Sequence, residues 1–338
     1  MMDISREKLI ENIKNLCTKS VLVIGDLALD EMVYGDTERI SREAPVLILR
    51  HSYTKHILGG ASNAAHNASK INNGQVSVIG IIGKDYHAEH IKKAFADANI
   101  NCEYLVEDEE RPTITKSRIS GSCSHSITQQ IVRIDTQSDK PISKKIEVTL
   151  IENIEKAVPL HDAIILSDYH IGTLTQNVID AAIKAAKRHN KIIIADAQKD
   201  LNRYRGITSM TPNLPDTQGY VKKYIETKQD FLEAGRKLIA DCDAEFVLIT
   251  CGEDGMRVVD KKGCYHVPVF NKSKVFDVTG AGDTVTAVYS LALATGSDPV
   301  YAAIIGNIAA GIVIKEFGCA TTTIEAMLKN IPANIKVE

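Results

Sequence analysis

Residues 21–30 read V-L-V-I-G-D-L-A-L-D. An unbroken apolar run meets a glycine, and aspartates follow at 26 and 30. A short apolar run of this kind, stopped by a turn residue, predicts a strand covered on both faces, as in a parallel sheet. Four more runs share the form: residues 76–82 (VSVIGII), 163–167 (AIILS), 192–196 (IIIAD) and 246–251 (FVLITC). Helical spacing occupies 62–71, 85–98, 175–189 and 228–240. Strand and helix alternate, which predicts an α/β doubly wound, mostly parallel sheet with right-handed crossovers and helices on both faces. Ligands of such sheets bind beyond the carboxyl ends of the strands.

Outward from this frame the pattern changes. Leu9, Ile10, Ile13, Leu16 and Cys17 repeat at helical spacing near the start. Residues 280–296 and 299–317 are rich in Ala, Gly and Val and predict closely packed, buried helices. Residues 31–50 and 112–135 instead alternate polar with apolar side chains. Ile114, Lys116 and Arg118, and then Ile127, Gln129, Ile131 and Arg133, have period two. These two inserts predict a small antiparallel β-lid outside the main sheet, within one domain spanning 1–338. Exposed lid strands need a partner edge, so a homodimer formed through the lid is expected.

Composition narrows the class. The chain has 338 residues, 44% hydrophobic and 25% charged, with a net charge of −3. That supports a large core and supplies no general basic field for nucleic acid or anionic membrane. The seven cysteines form no C-x-x-C pair and are odd in number, so free thiols in a reducing compartment are expected. The first twenty residues are charged throughout, unlike a signal peptide. The longest apolar stretch, 300–314, is short and broken by Gly306, Asn307 and Gly311, so no membrane span is expected. A cytoplasmic protein fits these features.

Three pieces point to chemistry. Residues 277–284 read D-V-T-G-A-G-D-T ahead of a helical run. Gly280, Ala281 and Gly282 stand where a helix should begin, with unpaired amides and a positive macrodipole, which suits a phosphate. Asp283 would face the same space and can accept a proton from a hydroxyl. The plainer reading is a Gly-rich turn with an acid at a helix end. Val285 replaces the third glycine of a dinucleotide fingerprint, and no G-x-x-x-x-G-K-[ST] occurs. Residues 58–67, L-G-G-A-S-N-A-A-H-N, place two glycines before a helix, where Asn63 can hydrogen-bond sugar hydroxyls. As plain structure, Ser62 or Asn63 would cap that helix. Asp26 and Asp30 follow the first strand and suit hydroxyl recognition; as plain structure they are loop acids facing water. His87 and His90 read as helix-surface residues rather than metal ligands, His66 and His170 as packing residues, Cys251 as a buried thiol, and 107–111 (EDEER) as a solvated turn.

Together and in this order, G-G-A-S-N (59–63) and D-x-T-G-A-G-D (277–283) resemble the PfkB/ribokinase family of sugar and nucleoside kinases. Residues 39–46 (RISREAPV), 113–118 (TITKSR), 129–135 (QQIVRID), 167–169 (SDY), 203–206 (RYRG) and 211–214 (TPNL) resemble the kinase domain of bacterial D-glycero-β-D-manno-heptose 7-phosphate kinases, which serve lipopolysaccharide core synthesis. The resemblance runs from about residue 21 to 323. The H-x-G-H motif of the nucleotidyltransferase domain that some members carry does not occur in these residues.

The resemblance implies ATP-dependent phosphorylation of O1 of the heptose 7-phosphate. Asp283 would be the base, and the amides of Gly280, Ala281 and Gly282 would hold the γ-phosphoryl. Asp26, Asp30, Gly59, Gly60 and Asn63 would contact the sugar. Lys116, Arg118, Arg133 and Lys199 would meet its phosphate. Asn213, Thr250, Gly252, Gly255 and Asn307 would border the nucleotide, with Mg²⁺ held through water near Asn213 and Asp216. Three positions depart from those kinases: Gln218 stands for a glutamate, Ile171 for the lysine of S-D-Y-x-K-G, and Gln198 for the lysine of D-P-K, with Lys199 one place later. The departures leave room for another sugar or a nucleoside as acceptor, or for a catalytically degenerate binding protein.

Overall fold

A computed structural model of the chain describes residues 2–122, 128–270, 276–316 and 318–337. The sequence positions Cys123, Ile127 and Phe317 lie outside the described residues.

A ten-stranded sheet runs through the body. From one edge its order is Cys264–Val267, Met256–Val259, Phe246–Thr250, Ser209–Met210, Ile192–Ala197, Ala163–Asp168, Val21–Gly25 and Val76–Gly83. Two short strands, Ile100–Asn101 and Leu105–Asp108, both pair with the last of these. Pairing is parallel except at the edge formed by Met256–Val259 and Cys264–Val267. Each of the five apolar runs becomes a strand within two residues of its expected bounds. The two faces bury separate cores. One packs the helices Arg6–Asn15, Ala61–Asn72, Ala281–Ala294 and Pro299–Val313, through side chains such as Leu9, Ile71, Val288 and Ile305. The other packs Lys144–Ala157, Gln176–Arg188 and Lys228–Cys242, through Leu150, Val178 and Leu238. Helices on both faces explain why the strands contain so few polar residues.

The chain passes from Val21–Gly25 outward to Val76–Gly83, then returns to pair Ala163–Asp168 on the opposite side of Val21–Gly25. The connections that leave these two paired strands therefore run to opposite sides of the sheet, which makes their carboxyl ends a switch point of the kind where such sheets bind ligands.

The lid is a separate four-stranded sheet in the order Leu47–Gly60, Leu27–Ile40, Ile114–Ser122 and Gln129–Thr136. It corrects the expectation in two respects. Its first insert extends over 27–60 rather than 31–50, because residues 51–57 form a strand exposed along much of its length, with no buried face to mark it. Its middle pair, Leu27–Ile40 with Ile114–Ser122, is parallel, so the lid is mixed rather than antiparallel. Only Asp26 separates the lid strand Leu27–Ile40 from the sheet strand Val21–Gly25.

Candidate active site

Helix ends single out the site. Of the α-helices described, all but two have a side-chain cap, supplied for example by Ser5, Asp85, Thr175 and Thr227. The exceptions are Ala61–Asn72 and Ala281–Ala294, whose N-cap residues are Gly60 (φ 54°) and Gly280 (φ 76°). A side-chain cap would fill the space in front of the first amides, and a glycine at positive φ omits it; at Ala61–Asn72 the Asp26 carbonyl takes the Ala61 amide at 3.1 Å instead. The expectation that Ser62 or Asn63 caps the first of these helices is thereby corrected.

The two open ends meet. Asn63 Nδ2 donates to Asp283 Oδ2 at 2.7 Å, and Asn63 Oδ1 accepts from Asn67 Nδ2 at 3.1 Å. Thr284 Oγ1 donates to Asn67 Oδ1 at 2.9 Å, a second tie between the helices. The other Asp283 oxygen accepts the Tyr169 hydroxyl at 2.6 Å. Asp283 is 5% exposed. Burial pushes its carboxyl up to about 6, while the Tyr169 and Asn63 hydrogen bonds and the Lys116 ammonium pull the other way. Gly280 must be glycine: besides its positive φ, a Cβ there would lie 2.4 Å from Asn63 Nδ2. Asp277 accepts the amides of Thr279 and Gly318, both at 2.9 Å, and so fixes the turn ahead of the helix. The Ala281 amide already donates to the Val278 carbonyl at 3.2 Å. Of the three amides expected to hold a phosphoryl group, those of Gly280 and Gly282 have no acceptor among the described residues, and the Ala281 amide drops out.

On the lid side, Asp30 is buried. Arg118 Nη1 lies 2.8 Å from its Oδ2, and its Oδ1 has no hydrogen-bond partner among the described residues. Gly59 crosses beneath it so closely that a Cβ would sit 2.7 Å from that unpartnered oxygen. A buried acceptor with nothing to accept is costly unless a ligand hydroxyl completes it. Lys116 Nζ lies 5.1 Å from the centre of the Tyr169 ring and pairs with no carboxylate among the described residues. Arg133 is engaged otherwise: Nε and Nη2 bind Asp135 at 2.7 and 2.6 Å on the exposed lid edge. Lys199 is exposed.

Asp26 is a correction. It is 1% exposed, and its two oxygens accept the amides of Tyr169, Ile171 and Thr173 at 3.0, 3.0 and 3.1 Å. That carboxylate organises the loop after Ala163–Asp168 and offers nothing to a sugar. Asp168 helps it by accepting the His170 amide at 2.8 Å and the Tyr204 hydroxyl.

Beyond the Gly280 turn opens a cavity of about 770 Å³, which Thr250, Gly252, Gly255, Asn307, Ala281 and Gly282 help to line. Four of these are the residues expected around a nucleotide. Asn213, the fifth, is not among the lining residues. It bridges to Thr250 and caps the helix Leu214–Val221 by accepting the Asp216 amide at 2.7 Å.

Residues 18–327 match the pfkB family carbohydrate kinase description. The chain belongs to that family. This pfkB kinase is 35% identical over 320 residues to the bifunctional protein HldE of Helicobacter hepaticus, covering 94% of the chain and 65% of the relative. It is 36% identical over 306 residues to HldE of Geobacter metallireducens, covering 90% and 61%. The chain thus spans less than two thirds of the length of these curated relatives. Among solved structures it is similar to Escherichia coli phosphofructokinase-2 in complex with substrates and products (TM-score 0.72, 17% identity, 92% of this chain and 97% of that one). It is also similar to Arabidopsis thaliana ribokinase complexed with ribose and ATP (TM-score 0.69, 18% identity, 92% and 98%).

Two of the three departures of this pfkB kinase acquire a physical meaning, and at the third Gln198 and Lys199 are both exposed. Ile171 is 9% exposed in an apolar cluster with Ala28, Ile114 and Tyr169, so no cation stands there. Gln218 Oε1 accepts the Ile225 amide at 3.0 Å, serving the chain after its helix. Asp216 is close enough to Asp196 to raise the latter's pKa further. Asp196 itself accepts the Thr286 hydroxyl at 3.2 Å, and burial pushes it up to about 7, with the Asp283 charge adding to the effect. Tyr169 and Asn67 are the site residues not singled out from the sequence; Tyr169 closes the S-D-Y run, and Asn67 stands one helical turn after the Asn63 of G-G-A-S-N. His87 and His90 lie on the helix Tyr86–Asp97 as expected, but His90 stacks on His56 of the lid at 3.9 Å. No group of three His, Cys, Asp or Glu side chains among the described residues converges to hold a metal. No helix described is long and apolar enough to cross a membrane.

Proposed function

We propose that this carbohydrate kinase transfers the γ-phosphoryl of ATP to O1 of D-glycero-β-D-manno-heptose 7-phosphate. The observation that carries the reading is the 2.7 Å Asn63–Asp283 hydrogen bond, which joins two motifs 220 residues apart at one carboxylate. The acceptor hydroxyl lies against Asp283, which takes its proton as the oxygen attacks phosphorus. The Gly280 and Gly282 amides, at the positive end of the helix, face the charge that spreads over the phosphoryl oxygens. Asp30 completes its unpartnered oxygen with a sugar hydroxyl, and Asn63 positions the base. The cavity beside Thr250 and Asn307 receives the nucleotide. Mg²⁺ neutralises phosphate charge when bound. The donor set fits a mostly hydrated ion, with the Asp216 carboxylate near Asp196 available to its waters and Asn213 holding Asp216 in place.

Lys116 and Arg118 support a phosphorylated acceptor. Ile171, packed among apolar neighbours where related kinases carry lysine, favours a second reading with an acceptor lacking that phosphate. Product analysis by ³¹P NMR over heptose 7-phosphate, free heptose, fructose 6-phosphate, ribose and adenosine separates them. The expected result is the 1,7-bisphosphate, with kcat/KM about tenfold to a hundredfold above free heptose, as befits one or two charge-assisted contacts. Equal rates for heptose and its phosphate would select the second reading. No acceptor-dependent ADP release with any of them would select a non-catalytic binding protein.

A base held at about pH 6 fixes the sign of the pH dependence. Its pKa is raised, so it is protonated below about 6 and ionised above. The kcat/KM for the acceptor is therefore expected to fall about tenfold per pH unit on the acid side of 6 and to level off above it.

The proposal extends to a homodimer through the lid. Gln129–Thr136 is one edge strand of the lid and is exposed along nearly all its length, with Ile131, Val132 and Ile134 43%, 44% and 53% exposed. Ile40, Leu47 and Tyr53, toward the opposite edge of the lid, are exposed as well. Sedimentation velocity at micromolar concentration should give twice the chain mass, and Ile134→Asp should shift it to the monomer. A monomer for the unaltered chain would exclude the dimer.

A further inference from the structure

Resting on that reading, we propose that Tyr169 is a positioning residue that acts through the base: its hydroxyl, placed against Asp283 Oδ1 at 2.6 Å, keeps the carboxylate in the ionised form until the acceptor arrives. The placement is built rather than incidental. Asp26 gathers three amides of the loop that carries Tyr169, Asp168 takes a fourth, and Arg111 Nη2 donates to the Ile171 carbonyl at 2.7 Å. The same Arg111 guanidinium donates to the carbonyls of Ser138 and Lys140, in the connection that follows the lid. Three side chains at 9% exposure or less are thus spent on fixing one loop, and its product is a phenol 2.6 Å from the base. Lys116 lies over the other side of that ring, on the lid.

The arrangement has a chemical consequence. A buried carboxylate tends to take up a proton, which disables it as a base. Two donors, the Tyr169 O–H and the Asn63 N–H, oppose this by stabilising the anion. Tyr169 stays a donor, because burial and the neighbouring Asp283 and Asp196 charges raise its own pKa well above the usual range. The other groups facing Asp283 are Lys116 and Asp30 from the lid, Asp196 from the sheet and the Cys319 thiol, itself pushed up to about 12 by burial.

The test is an infrared pH titration of the Asp283 carboxyl in the full chain, its band assigned by disappearance in Asp283→Asn, which separates it from Asp196. In Tyr169→Phe, which removes one oxygen, the midpoint should rise by about one pH unit, the scale of one hydrogen bond to a charged group. With 3-fluorotyrosine at position 169, a stronger donor, the midpoint should fall. Midpoints that stay put, or move in the same direction, overturn the proposal. This readout needs no acceptor, so it stands or falls apart from the kinase reading. Where heptose 7-phosphate is turned over, Tyr169→Phe should be about fivefold slower than wild type in kcat/KM at pH 6 and nearly equal at pH 8.5. A deficit equal at both pH values would mark a merely structural lesion and overturn it too.

Discussion

Replacing Asp283 with Asn is expected to lower kcat by about 10²–10⁴-fold, the usual worth of a general base, while ATP affinity changes little. The asymmetry follows from position. Asp283 faces Asn63 and Tyr169 on the acceptor side of the Gly280 turn and is not among the residues lining the nucleotide cavity. Asparagine keeps the outline and still accepts the Tyr169 hydroxyl, but it cannot take a proton. It also presents an N–H to the Asn63 N–H. Asn63 is not free to turn over, because its own oxygen is held by Asn67, and Asn67 by Thr284. A thermal melt of the variant therefore belongs beside the steady-state rates and a calorimetric ATP titration. Turnover within tenfold of wild type would remove Asp283 from the role of base.

Much of this was legible in the residues. The five sheet strands are apolar runs because both faces are covered, so their pattern survives into the fold. The two Gly-rich turns announced themselves by composition, and the absence of a capping side chain proves to be the feature that opens them. What was hidden was hidden for physical reasons. Residues 51–57 of the lid have no buried face, and without burial there is no alternation to read. The parallel pairing of Leu27–Ile40 with Ile114–Ser122 joins segments far apart in the chain, with two helices and several strands between them. Asp26 and Asp30 look alike in sequence. The fold separates them by their partners: three amides fill one, whereas the other keeps an empty oxygen above Gly59. A carboxylate's role depends on what reaches it, and that is a tertiary property.

The two glycines flanking Ala281 should respond differently to the same methyl group. At Gly280 an alanine would need a positive φ, a strain of about 1–3 kcal/mol, and its Cβ would fall 2.4 Å from Asn63 Nδ2 and 3.3 Å from Cys319 Sγ. Asn63 must then leave Asp283, so Gly280→Ala is expected to lower the melting temperature by several degrees and kcat by at least about a hundredfold. At Gly282 a Cβ meets nothing within 4 Å, and the residue is exposed. Gly282→Ala should therefore fold and melt like the wild type. Its methyl group would stand at the open helix end, beside one of the two amides with no acceptor among the described residues, where the phosphoryl group has to approach. The expected result is a kcat/KM for ATP lowered by about tenfold to a hundredfold at unchanged stability. Unchanged ATP kinetics in Gly282→Ala would mean that the phosphates do not lie against this turn, whatever Gly280→Ala does, because the first variant damages the base and the second can act only on the nucleotide.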